Sequence, residues 1–379
     1  MESSKASSLT SLPSSQKKAT LENGSYPMPA NWVVETLRAG IAIPAHPLAL
    51  TDQLKLDDRK QRGLSRYYHA AGAKGLAVGV HTTQFEIRQP KHALLQPVLE
   101  LAQETIRACD EKQGRKTVLI AGVCGAARQA IEEARLAREL GYHLGMISLS
   151  ALPDLDDRAL VEHCRAIAHE IPIFGFYLQT AVGGRKLSVD FWRSLALIPN
   201  LIGIKIAPFD RYKTLDVLQA VAESGRGDEI VLYTGNDDNI VLDLLTRYTF
   251  RNNDRLQSLR IVGGLLGHWA CWTKRAVELL EKCKQTWDQP DVASELLTLA
   301  GQVTDCNAAL FDAKNDFHGC IPGVHYVLQQ QGLLANLHCL DPQVGLSPGQ
   351  REEINRVRAA YPHLIDDLFV AENRDVWLA

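Results

Sequence analysis

The chain has 379 residues, 46% of them hydrophobic and 22% charged, which suits a globular protein with a substantial core and excludes disordered and fibrous classes. A formal net charge of -3 supplies no positive field for nucleic acid or anionic lipid, so neither is expected as a partner. No stretch approaches the ~20 apolar residues of a membrane span. Even the apolar run at 261–270 is interrupted by Gly263, Gly264, Gly267 and His268.

Residues 1–29 are rich in Ser, Lys, Pro and Gly, with no apolar run of the secretory type, and read as a flexible arm. From residue 30 onward, short Val- and Ile-rich runs alternate with amphipathic stretches. The runs lie at 39–44, 75–80, 117–121, 143–149, 171–177, 201–206, 229–234 and 259–266. Helical patterns fill the intervals at 60–71, 92–109, 126–140, 157–169, 189–197, 212–223 and 239–248, with an eighth at 272–283. Eight such units predict an α/β chain folded as a (β/α)8 TIM barrel over 30–290. An open doubly wound sheet would need a Gly-rich phosphate loop after its first strand, and 41–46 has none. Beyond the barrel, 292–311, 322–331 and 348–360 read as helices separated by Pro and Gly, forming a C-terminal helical region at 291–379 packed on the barrel.

The eight cysteines (Cys109, Cys124, Cys164, Cys271, Cys283, Cys306, Cys320 and Cys339) include no C-x-x-C pair and no zinc-type Cys/His spacing. Free thiols in the cytoplasm and no bound metal are expected. Asp237 and Asp238, at a strand-turn-helix junction, read as caps for the following helix.

Within the segment 200–210, one lysine, Lys205, interrupts the apolar strand 201–206 near its end. Burial disfavours an ammonium, so a lysine in a barrel mouth can be left as a nucleophilic amine able to condense with a carbonyl. A lysine that reaches solvent or pairs with a carboxylate is the alternative. The preceding run, 171–177, ends on Tyr177, a candidate proton relay facing the same rim, or a packing aromatic. The second run ends in His81-Thr82-Thr83-Gln84, hydroxyl and amide donors suited to a carboxylate, although Thr also favours strand ends for ordinary reasons.

Together these segments resemble the dihydrodipicolinate synthase and N-acetylneuraminate lyase family of class I, Schiff-base aldolases. The resemblance spans roughly 37–346 and is most specific at Pro199-Asn200-Leu201-Ile202-Gly203-Ile204-Lys205, similar to the segment that carries the family's Schiff-base lysine. Thr82-Thr83, Phe176-Tyr177, Ile120-Ala121-Gly122-Val123, Thr234-Gly235-Asn236-Asp237-Asp238 and Gly263-Gly264 resemble further family motifs. The resemblance implies a lyase or aldolase. A 2-oxo acid such as pyruvate would form an imine with Lys205, and an aldehyde would be the second substrate. It assigns proton transfer to Tyr177 and carboxylate binding to Thr82 and Thr83; His81, Gln179, Gly235 and Gly264 are further substrate-binding candidates. It implies no cofactor, and a homo-oligomer, dimer or tetramer.

Three departures stand beside the matches. Val182 occupies the place of the synthases' substrate-binding Arg, with Arg185 close by; 148–152 lacks their tyrosine pair; and Gln84-Phe85 replaces their Gly-Glu. They point to a diverged aldolase, lyase or hydratase. The alternatives are a Schiff-base dehydratase or decarboxylase of a sugar-derived 2-oxo acid, and a barrel that has lost catalysis and binds a ligand.

Overall fold

The computed structural model describes residues 26–252 and 255–379. Its strands are β1 (Ala42–Pro44), β2 (Gly75–Val78), β3 (Val118–Val123), β4 (Leu144–Ile147), β5 (Ile173–Leu178), β6 (Leu201–Ala207), β7 (Val231–Thr234), β8 (Arg247–Asn252) and β9 (Arg255–Leu266). They lie in the order β1-β9-β7-β6-β5-β4-β3-β2, all parallel, with β8 antiparallel on β9. A parallel bridge between Ala45 and Ala77 joins β1 to β2 and closes the ring. The chain is a (β/α)8 TIM barrel with C-terminal helices, as the alternating runs predict.

The strands are apolar on both faces because one packs into the barrel and the other against the helices. Phe174, Phe176, Ile202, Tyr233 and Leu265 belong to the interior core, whereas Ile173, Tyr177, Ile204 and Ile206 belong to the layer beneath the helices. Several helices begin where a polar side chain takes an unpaired backbone N–H. Asp57 accepts from Lys60, Asp156 from Ala159, Ser188 from Phe191 and Asp210 from Lys213.

Two elements differ from the sequence reading. The helix expected over 239–248 stops at Leu245, and 247–252 enters β8, which forms a hairpin with the first half of β9. Its Arg-Tyr-Thr-Phe-Arg-Asn sequence combines aromatic and β-branched residues that favour a pleated strand over helix. At the other end of the barrel, a helix at Asn31–Arg38 buries Val33 and Leu37 in the interior core. The Tyr233 hydroxyl fixes it, donating to the Leu37 carbonyl at 2.8 Å and accepting from the Ile41 N–H at 3.2 Å.

The C-terminal region forms helices at Ser294–Leu310, Cys320–Gln330, Gln350–Ala360 and Asp367–Trp377. Its apolar residues merge with the barrel's outer core, where Tyr67 packs against Phe369 and Trp377 and donates to Asp366 at 2.8 Å. The segment between its first two helices passes over the barrel mouth, where Phe317 meets Phe209 with ring centroids 5.4 Å apart.

Candidate active site

In-register pairing between β5 and β6 sets Phe176 beside Lys205 and Tyr177 beside Ile206. Strand side chains alternate between faces, so Lys205 and Phe176 project into the barrel. The Lys205 Nζ lies 4.4 Å from the centroid of the Phe176 ring, within cation–π range. Lys205 is 8% exposed, and no carboxylate oxygen lies within 4.0 Å of its Nζ among the described residues. Burial lowers its pKa to about 8, against an opposing pull from Asp237.

Asp237 is the group that the sequence reading assigned to helix capping. The helix after β7 begins at Ile240, with Asn239 at its N-cap position and no side-chain cap. Asp237 instead lines the Lys205 cavity, 8% exposed, with its Oδ1 unpaired among the described residues. Burial pushes its carboxyl well above the ordinary value, with the Lys205 charge opposing. Burial thus pulls both members of the pair toward their neutral forms.

The turn bearing Asp237 is firmly held. The fully buried Asp243 carboxylate accepts from Thr234 Oγ1 at 2.6 Å, Asn236 Nδ2 at 2.9 Å and the Arg211 guanidinium. Gly235 has a specific steric reason: a Cβ there would lie 2.5 Å from Cε of Lys205. Any side chain at 235 therefore competes with the lysine for space.

The structure brings Lys205, His81, Thr82, Gln179 and Gly235 to one cavity of about 50 Å³, with Phe176, Leu178, Phe209, Phe311 and Phe317 among its apolar walls. His81 sits at the rim, its pKa lowered to about 4 by burial and by the Lys205 charge, which keeps the imidazole neutral. The Gln179 Oε1 accepts from the Ala181 N–H at 3.2 Å and shapes the rim loop.

Three expected site residues lie elsewhere. Tyr177 faces the helices, with its ring 5.3 Å from Trp192 and its hydroxyl 3.4 Å from the Leu187 carbonyl. A one-residue difference in the pleat decides this, because Phe176 takes the inward position. Thr83 is fully buried at the end of β2, donating to the His46 carbonyl at 2.7 Å and accepting from the Gly79 and Val80 N–H groups. It shapes the loop that presents Thr82. Gly264 faces outward, where a Cβ would meet Trp269 at 2.5 Å, and Gly267 lines the cavity in its place. Arg185 does not reach inward either, since its guanidinium donates to the Leu152 and Leu155 carbonyls.

Beyond Asp237, the residues missed from the sequence are Phe311, Phe317 and Cys320 of the C-terminal region, which complete the cavity roof. Only the tertiary path of the chain brings them there. The repeated Asp-Asp after a Gly turn was the one available signal for Asp237.

No family model matches the sequence. The chain is 30% identical over 113 residues to a probable 5-dehydro-4-deoxyglucarate dehydratase of Acinetobacter baumannii, covering 30% of this chain and 35% of that protein. It is 29% identical over 210 residues to an N-acetylneuraminate lyase of Citrobacter koseri, covering 54% and 64%. The chain thus spans from about a third to just under two thirds of the length of these curated relatives. Among solved structures, the chloride-inhibited dihydrodipicolinate synthase of Acinetobacter baumannii complexed with pyruvate matches with a TM-score of 0.66 and 19% identity, covering 86% of this chain and 99% of that one. That match carries the fold across the barrel, and the partial sequence matches are to enzymes of the dihydrodipicolinate synthase and N-acetylneuraminate lyase group, which the chain resembles at low identity.

Proposed function

We propose that this protein is a class I aldolase or lyase that forms an imine between Lys205 and a 2-oxo acid such as pyruvate, making or breaking a carbon-carbon bond. The observation that carries the reading is the buried Lys205 amine, lowered to about 8 and facing the buried carboxyl of Asp237. A neutral amine adds to the ketone carbon, and a neutral carboxylic acid supplies the proton that lets the carbinolamine oxygen leave as water. The resulting carboxylate then accepts a proton from the carbon next to the imine, giving the enamine. Asp237 so takes the proton-transfer part that the family resemblance assigned to Tyr177. Thr82 and His81 stand at the cavity wall as hydrogen-bonding groups for the acid's carboxylate and carbonyl oxygens.

Borohydride added in the presence of pyruvate is expected to attach one reduced pyruvate to Lys205, read by peptide mass spectrometry. A chain left unmodified by pyruvate and by other 2-oxo acids overturns the proposal. A second reading, dehydration of a sugar-derived 2-oxo acid through the same imine, is favoured by one observation. A protonated Asp237 is also the acid that a departing hydroxyl needs. Product analysis separates the two, because only carbon-carbon cleavage releases an aldehyde. We propose the cytoplasm and a homo-oligomeric state with this activity; the eight free thiols suit a reducing compartment.

A further inference from the structure

Above the Lys205 cavity lies a second, larger one of about 520 Å³, and the two share His81, Val182, Phe317 and Cys320 in their walls. The outer cavity is therefore the approach to the amine and the space next to a bound 2-oxo acid. Its charge is one-sided. Glu86, Asp316 and Asp341 line it beside two histidines, His81 and His318; none of the three carboxylates is in an ion pair among the described residues, and no Lys or Arg lines it. His81, the histidine it shares with the inner cavity, is held neutral.

A second feature of the same wall points to a bound oxygen. Gln84 also lines it and is 2% exposed. Its backbone takes the left-handed φ of 70°, uncommon for any residue but glycine. Its Oε1 accepts from the Leu340 N–H at 2.7 Å, which pins the amide, while the Nε2 has no acceptor among the described residues. A buried donor without a partner is costly, and an oxygen of a bound molecule relieves it.

We infer that the second reactant is an aldehyde carrying a cationic ammonium group and no carboxylate or phosphate. Its oxygen would be received by the Gln84 amide and its charge by Glu86, Asp316 and Asp341. This rests on the Schiff-base reading of Lys205. In the step itself, the enamine carbon derived from the 2-oxo acid bonds to the aldehyde carbon. The carbonyl electron pair moves to the aldehyde oxygen, which takes up the proton that Asp237 received when the enamine formed, and water then hydrolyses the imine to free a 4-hydroxy-2-oxo acid and the lysine. The acidic walls supply no cation to hold a distal anion and repel one that enters.

The test uses the full chain, pyruvate and three aldehydes of similar shape: trimethylammonioacetaldehyde, its uncharged carbon analogue 3,3-dimethylbutanal, and the anionic sulfoacetaldehyde. Borohydride trapping of pyruvate at Lys205 is run in parallel. The expected kcat/KM is roughly tenfold higher for the cationic than for the neutral aldehyde and lowest for the anionic one, with the ratio shrinking at high salt. The Glu86→Gln/Asp341→Asn double variant is expected to bring the cationic and neutral aldehydes within about threefold. If pyruvate is trapped but the anionic aldehyde reacts as well as the cationic one, or none of the three reacts, the inference is overturned while the Schiff-base reading stands. If pyruvate is not trapped, the Schiff-base reading itself falls, and the inference with it.

Discussion

Lys205 carries a cost to the fold. Its pKa is lowered from 10.5 to about 8, so below pH 8 the folded state holds a buried ammonium at full penalty. Between pH 8 and 10.5 the unfolded chain binds the proton more tightly than the folded one, and stability rises with pH. Lys205→Met is therefore expected to abolish pyruvate trapping and to stabilise the fold by about 1–3 kcal/mol near neutral pH, a gain that fades as the pH passes from 8 toward 10.5. Denaturant melts across that range check it. Tyr177→Phe separates the geometry of this chain from the family pattern. Because the phenol faces Leu187, trapping at Lys205 should stay within about twofold, while unfolding loses about 1 kcal/mol from its two long hydrogen bonds to the Leu187 backbone; a collapse of trapping would place the phenol in the chemistry after all. Gly235→Ala sets a methyl against the lysine and should slow trapping at least tenfold, with overpacking costing roughly 1–3 kcal/mol in a thermal melt. The sequence exposed Lys205 because a charge in an apolar strand stands out. It could not show that Phe176, not Tyr177, faces inward, since two adjacent aromatics fit either pleat.

At the scale of elements, the ends of β2 and β3 are tied by a buried ion pair. The Arg88 Nε donates to both oxygens of Glu133 at 3.0 Å, and its guanidinium also reaches the Gly79 and Gly122 carbonyls. Both side chains are below a tenth exposed. Arg88→Ala leaves Glu133 uncompensated and is expected to cost about 3–5 kcal/mol in urea unfolding; a loss under 1 kcal/mol would show that the pair is dispensable. None of this could be read from the sequence, where Arg88 and Glu133 are 45 positions apart. The eight barrel strands were legible because each is a continuous apolar run. The β8 hairpin was not, because two of its six residues are arginines and its neighbour 239–245 carries a helical pattern. The helix at 31–38 escaped notice because it plugs the barrel foot and belongs to none of the repeating units.

For the molecule as a whole, the C-terminal region shares one continuous core with the barrel. Leu310, Phe311, Val324 and Trp377 cluster with Tyr67, Leu64 and Tyr177. We propose that 30–379 unfolds as one cooperative unit, and calorimetry should give a single transition with matching calorimetric and van't Hoff enthalpies. Two separable transitions would mark the C-terminal helices as an independent domain. The helix plugging the barrel foot, held by the Tyr233 hydroxyl, bears on kinetics as well as on packing. Under the proposed reaction, a barrel stoppered below is a dead-end street: the 2-oxo acid would park at its far end before the aldehyde turns in, and the joined product would back out past the acidic walls. Such a layout imposes a compulsory queue. An inert occupant of the outer cavity should therefore hold up the arrival of the acid as well as compete with the aldehyde.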